Sequence, residues 1–119
     1  MPNTPVAIEQ GVSAIIGNSF SSSSQVNWTE KLFNNLGKTV ILEKESQIDA
    51  VTAISGSGPA YIFNFAETVI EIGKELGLSE QISKKIVLQT IVGAGLLANN
   101  SDKSPSKLRE NVTSPNGTT

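Results

Sequence analysis

The chain contains neither cysteine nor histidine. Disulfides, thiolate nucleophiles and the common zinc centres are therefore excluded, and no metal site is expected. Chemistry must rest on hydroxyls, carboxylates, lysines, backbone amides or a cofactor. The stretch Ser114-Pro115-Asn116-Gly117-Thr118-Thr119 offers three hydroxyls beside two residues that tolerate left-handed backbone. Such backbone turns successive N–H groups toward one point, a nest for a small anion such as a carboxylate. The same composition also suits a plain terminal tail.

Other candidates are weaker. Gly56-Ser57-Gly58 begins like a dinucleotide fingerprint, but Tyr61 stands where a third Gly or Ala belongs, and the preceding segment reads as helix, not strand. Gly93-Ala94-Gly95-Leu96-Leu97-Ala98 fits the bare G-x-G-x-x-A pattern inside an amphipathic helical stretch, where small residues permit close helix packing. No Walker-type phosphate loop is present. Tyr61 could donate a proton, or serve as a core aromatic whose hydroxyl is satisfied. Glu67, Glu71 and Glu75 lie four apart near Lys74, the pattern of a solvated helix face and not of paired catalytic carboxylates.

These groups need elements to hold them. Met1-Pro2-Asn3-Thr4-Pro5 reads as a loop that should follow a strand. Gly11 to Gly17 alternates, with Val12, Ala14 and Ile16 on one face of a short strand. Ser19 to Ser24 is a polar loop. Trp28, Leu32, Phe33 and Leu36 fall at helical spacing within Val26 to Leu36, with Gly37 as the stop. Thr39 to Leu42 is a β-branched run and a second strand. Strand, helix, strand makes a βαβ unit that would leave sheet edges exposed if it stood alone.

Beyond Glu43 the pattern turns helical. Ser46-Gln47-Ile48-Asp49 resembles a capping box that opens a short helix to about Ile54. Ser55 to Pro59 breaks it, and Pro59 suits the first turn of a helix running to Leu76. That helix is apolar nearly all round, so Tyr61, Phe65, Val69 and Ile72 are expected to stay partly exposed in a single chain. After Gly77, Ser79 caps a helix whose stripe is Ile82, Ile86, Thr90, Gly93 and Leu97. Ser104 caps a last short helix, with Pro105 at its start and Val112 near its end.

At 119 residues, the chain has room for one compact domain. Its longest apolar run falls well short of the ~20 residues a bilayer span needs, so no membrane partner is expected. A net charge of −2, with the basic residues scattered, gives no reason to expect nucleic acid. No basic stretch leads an apolar core at the start, and cytoplasmic is the default location.

Three separated motifs agree on one family. Met1 to Pro5, Asp49 to Tyr61 (Asp-Ala-Val-Thr-Ala-Ile-Ser-Gly-Ser-Gly-Pro-Ala-Tyr) and Asn111 to Thr119 resemble the pyrroline-5-carboxylate reductases in order and approximate spacing. The resemblance implies an α+β chain: residues 1–45 as the end of a Rossmann-type dinucleotide-binding domain, then residues 46–119 as an all-α dimerisation and substrate-binding domain. It implies reduction of 1-pyrroline-5-carboxylate to proline with hydride from NAD(P)H, in a homodimer or higher homo-oligomer. Asn3, Thr4 and Pro5 become candidate cofactor neighbours. Val112, Ser114, Asn116, Gly117, Thr118 and Thr119 become substrate-binding candidates, with Thr119 close to the imine nitrogen. Asn116 departs from the family's Ser-Pro-Gly-Gly-Thr-Thr pattern by replacing its first glycine, a substitution that left-handed backbone tolerates.

The family's glycine-rich fingerprint and last dimerisation helices have no counterpart here. The chain is therefore expected to be a fragment that is inactive alone and does not hold NAD(P)H by itself. The alternatives are a non-catalytic helical association module, or another imine or β-hydroxyacid dehydrogenase of similar layout.

Overall fold

The computed structural model describes residues 1–114. The chain divides into two compact units, Met1–Asn64 and Phe65–Thr119.

In the first unit, a 3-10 turn at Thr4–Ile8 leads into strand β1 (Gly11–Ile15), helix α1 (Ser23–Phe33) and strand β2 (Gly37–Ile41). The two strands pair in parallel from Gly11↔Gly37 to Ile15↔Ile41, as the βαβ reading requires. Each strand opens on a glycine for a steric reason. Gly37 has φ +138, and a Cβ there would collide with the Gly11 carbonyl oxygen. Along its other edge, β1 meets Met1–Pro2: the Met1 backbone nitrogen donates to the Ala14 carbonyl at 2.8 Å and the Ala14 N–H returns to the Met1 carbonyl at 2.9 Å. Ser13 and Ala14 are both 2% exposed, so the expected alternation of buried and open faces is not seen.

Helix α1 starts three residues before the predicted position. Ser22 and Gln25 form a reciprocal capping box, the Ser22 N–H donating to Gln25 Oε1 at 2.8 Å and the Gln25 N–H to Ser22 Oγ at 3.3 Å. The end of the supposed polar loop is thus the helix start. The reverse holds at Ser46, which is helical and makes no side-chain cap. There Gln47 Oε1 takes the N–H groups of Glu43 and Lys44, at 3.0 and 2.9 Å.

Helix α2 (Gln47–Val51) does not end but widens into a π turn over Thr52–Gly56. A single residue, Ser57, separates it from helix α3 (Gly58–Glu75). Gly77, with φ +93, closes that helix as expected.

Helix α4 (Glu80–Asn99) is capped by Ser79, whose Oγ accepts the Ile82 N–H, and helix α5 (Pro105–Val112) by Ser104, whose Oγ accepts the Lys107 N–H. Both starts agree with the sequence reading. The apolar stripe of α4 is not the face that the chain itself buries. Ile82, Ile86 and Leu97 are exposed, and the buried pair is Ser83 and Val87. A Cβ built on Gly73 would lie 2.6 Å from Ser83 Oγ, so these two small residues let α3 and α4 approach closely near their turn. Tyr61, Phe65 and Ile72 are exposed and Val69 half-buried, as expected of a helix apolar on most sides. No helix among the described residues is long and apolar enough to cross a membrane.

Candidate functional site

Proline has no N–H, so the helical hydrogen bond that would run from residue 59 to the Ser55 carbonyl cannot form. That carbonyl instead accepts from Asn3 Nδ2 at 3.2 Å. The other end of the Asn3 amide, Oδ1, accepts the Val12 N–H at 2.9 Å. One side chain thus ties the opening loop to β1 and to a segment 52 positions away.

Around this tie lies a groove of about 520 Å³ lined by Asn3, Pro5, Ile54, Ser55, Gly58, Pro59, Tyr61, Ile62 and Phe63. Its size falls in the range of small-molecule sites, roughly 300–1,000 Å³. The walls are mostly apolar, with the Asn3 amide as a polar point. A Cβ at Gly58 would meet only open space. The Tyr61 hydroxyl donates to the Ala53 carbonyl at 3.1 Å, while the residue is 59% exposed. The hydroxyl is satisfied, as expected of a core aromatic, but the ring belongs to a groove wall and not to a core.

Two of the sequence motifs therefore meet here: Asn3 and Pro5 from the first, and Ile54, Ser55, Gly58, Pro59 and Tyr61 from the second, while Thr4 does not line the groove. Sequence reasoning singled out Asn3 and Tyr61 but missed the hydrogen bonds they make. Pro59, four residues after Ser55, was the available signal for the orphan carbonyl.

In the second unit, Val112 is exposed at the end of α5. The Thr113 hydroxyl donates to the Arg109 carbonyl at 2.8 Å, and Ser114 is exposed beyond it. Asn116, Gly117, Thr118 and Thr119 lie outside the described residues.

The glycines of the rejected fingerprints are placed as helix or turn. Gly93 and Gly95 sit inside α4, where the backbone N–H groups are committed to the helix, and a Cβ at either meets open space. Glu71 pairs with Lys74 at 2.8 Å on an exposed face, the solvated arrangement expected. That hydrogen bond raises the Lys74 pKa above its ordinary 10.5. Among the described residues, no three Asp or Glu side chains converge as metal ligands would.

The family model for pyrroline-5-carboxylate reductase dimerisation matches residues 45–119. The pyrroline-5-carboxylate reductase of Pseudomonas aeruginosa is 44% identical over the whole chain, which covers 44% of that protein. The Corynebacterium melassecola reductase is 40% identical, again over the whole chain and 44% of its length. The chain thus spans less than half the length of these curated relatives.

Among solved structures, the Coxiella burnetii reductase superposes with a TM-score of 0.94 at 36% identity, covering 99% of this chain and 44% of that one. The Plasmodium falciparum enzyme, solved with NADP bound, gives 0.89 at 38% identity over 98% and 48%. The strand-helix-strand start, the helices that follow and the matched residues agree: this chain belongs to the pyrroline-5-carboxylate reductase family.

Proposed function

We propose that this chain forms part of a cytoplasmic reductase that converts 1-pyrroline-5-carboxylate to proline, the last step of proline biosynthesis, using NAD(P)H. The observation that carries the reading is the meeting of Asn3 and Pro5 with Ile54, Ser55, Pro59 and Tyr61 on one groove, in a chain of this family. Residues 1–45 are taken as the end of the dinucleotide-binding domain and 46–119 as the dimerisation and substrate-binding domain.

The groove suits one end of a dinucleotide. Its apolar walls fit a flat ring, the Asn3 amide can face a carboxamide, and Gly58 leaves room. Among the described residues no strand leads through a glycine-rich turn into a helix, so the pyrophosphate would be held elsewhere in the enzyme. When bound, NAD(P)H supplies the hydride that reduces the C=N carbon.

The chain's own residues orient the substrate. Val112 borders the ring, while Ser114 and the amides of Asn116, Gly117 and Thr118 hold the carboxylate. The Thr119 hydroxyl hydrogen-bonds the ring nitrogen, whose basicity rises as it becomes an amine. An interaction that strengthens in this way acts on the chemical step.

Homo-oligomerisation completes the reading. It is supported by the matched dimerisation family and by the exposed apolar side chains of α3 and α4. Gly93 and Gly95, unpacked within the chain, suit close approach by a second helix.

A chimera tests the proposal. Residues 1–119 replace the matching stretch of the Pseudomonas aeruginosa reductase, and oxidation of NADH and NADPH is followed with 1-pyrroline-5-carboxylate. The chimera is expected to turn over. Thr119→Val should lower kcat by roughly 10- to 100-fold, the value of a ~1.5–3 kcal/mol bond in the transition state. Ser114→Ala should raise KM mainly. A folded dimeric chimera without activity, or a Thr119→Val variant with undiminished kcat, would overturn the reading.

A further inference from the structure

Two of the groove's polar side chains, Asn3 and Tyr61, are engaged in a way that assigns them a role. In an ordinary helix, the Ser57 N–H would bond to the Ala53 carbonyl. Here it reaches one residue further, to the Thr52 carbonyl at 2.9 Å, because the backbone has widened into a π turn. Ala53 is left without that partner, and its carbonyl takes the Tyr61 hydroxyl at 3.1 Å. Two residues on, Pro59 has no N–H to give Ser55, whose carbonyl takes Asn3 Nδ2 at 3.2 Å. Two carbonyls released by one irregular segment are therefore each held by a side chain that lines the groove.

The geometry points to Tyr61 and Asn3 as positioning residues, latches that fix the Thr52–Gly58 segment and so the shape of the groove. In this arrangement the Tyr61 hydroxyl donates its hydrogen bond to the Ala53 carbonyl, and Tyr61 is not a proton donor to substrate. Asn3 acts in the same way, with Oδ1 on Val12 and Nδ2 on Ser55. That the groove receives the nicotinamide end of the cofactor rests on the function proposed above. The latch itself does not.

The test uses the full-length enzyme containing this chain. Tyr61→Phe removes one oxygen and keeps the ring. Asn3→Asp keeps the acceptor for Val12 but sets a second acceptor against the Ser55 carbonyl. Hydrogen exchange of the Ser57 and Gly58 amides is measured for each variant, with NADP⁺ affinity by calorimetry and the pH profile of kcat. Exchange should speed up, and the NADP⁺ Kd weaken, by about two- to tenfold in each, the loss of one net hydrogen bond. Pro59→Ala restores an N–H four residues after Ser55, and should recover part of the Asn3→Asp loss.

The pH profile of Tyr61→Phe should keep its shape. Exchange at wild-type rates in Tyr61→Phe would overturn the latch, and so would a collapsed kcat with one limb of the profile missing. Should Asn3→Asp fail to fold, the Tyr61→Phe arm decides. A wild-type enzyme that does not bind NADP⁺ would sink the proposed function, and the exchange rates would still judge the latch.

Discussion

The two units hold their residues in different ways. In Met1–Asn64, backbone meets backbone at close range, Gly11 against Gly37 and Met1 against Ala14, and the Asn3 side chain spans to the Ser55 carbonyl. In the described part of the second unit, the buried side chains are Ala66, Ser83 and Val87, all small or medium-sized, while Phe65, Ile72, Leu76 and Ile86 stay in the open. The first unit is pinned by its backbone contacts, yet it too leaves Phe20, Trp28 and Phe63 in the open. Both units carry more apolar surface than their own contacts cover, and surface of that kind is stabilised only when something else covers it.

The comparison breaks first at that open surface. Phe65→Asp with Ile72→Asp should weaken self-association by more than about a hundredfold, since each apolar side chain contributes roughly 1.5–3 kcal/mol when buried. Light scattering across a dilution series would read it. An assembly that survives both charges means these helices are not the covered face.

Next in size is a change that the first unit should not tolerate. Gly37→Ala puts a Cβ into the Gly11 backbone at a φ of +138. The cost should be roughly 3 kcal/mol or more, combining backbone strain with a clash that no side chain can relieve. Chemical denaturation would measure it. A loss below about 1 kcal/mol would mean that the parallel pair can shift apart.

A smaller pair of changes probes the close contact between α3 and α4 at Gly73. Gly73→Ala gains about 1 kcal/mol of helix propensity, but overpacking against Ser83 costs ~1–3 kcal/mol, so a net loss near 1 kcal/mol is expected. Ser83→Ala should go the other way. Its Oγ is buried without a hydrogen-bond partner, and removing it should gain up to about 1 kcal/mol. Thermal midpoints of the two variants falling on the same side of wild type would contradict this.

The smallest effect belongs to the exposed Glu71–Lys74 pair. Its contribution is present below the ordinary Lys pKa of 10.5 and is lost as pH rises through the raised folded value. Near neutrality it is present but screened by solvent and salt. Glu71→Gln should therefore leave the denaturation midpoint close to wild type, and added salt should erase any difference.

Much of this was legible beforehand. Gly37 and Gly77, the Ser79 and Ser104 caps, and Pro105 marked element ends correctly, because a cap or a turn is decided by atoms within one helical turn. The Ser22 box had an equally local signal, Ser-x-x-Gln, hidden among consecutive serines. The Ser46 pattern misled because the Gln47 side chain was engaged elsewhere, on Glu43 and Lys44.

By itself, the sequence determined the order of elements, the ends of most helices and the motifs that mark the family. Tertiary structure alone decided that α4 buries Ser83 and Val87 instead of the larger Ile82 and Ile86. It also decided that Asn3 and Tyr61 hold the carbonyls released near Pro59. The physical reason is range. Hydrogen bonds within a turn depend on near neighbours in the chain, whereas burial and the capture of an orphan carbonyl depend on which distant segment arrives against it.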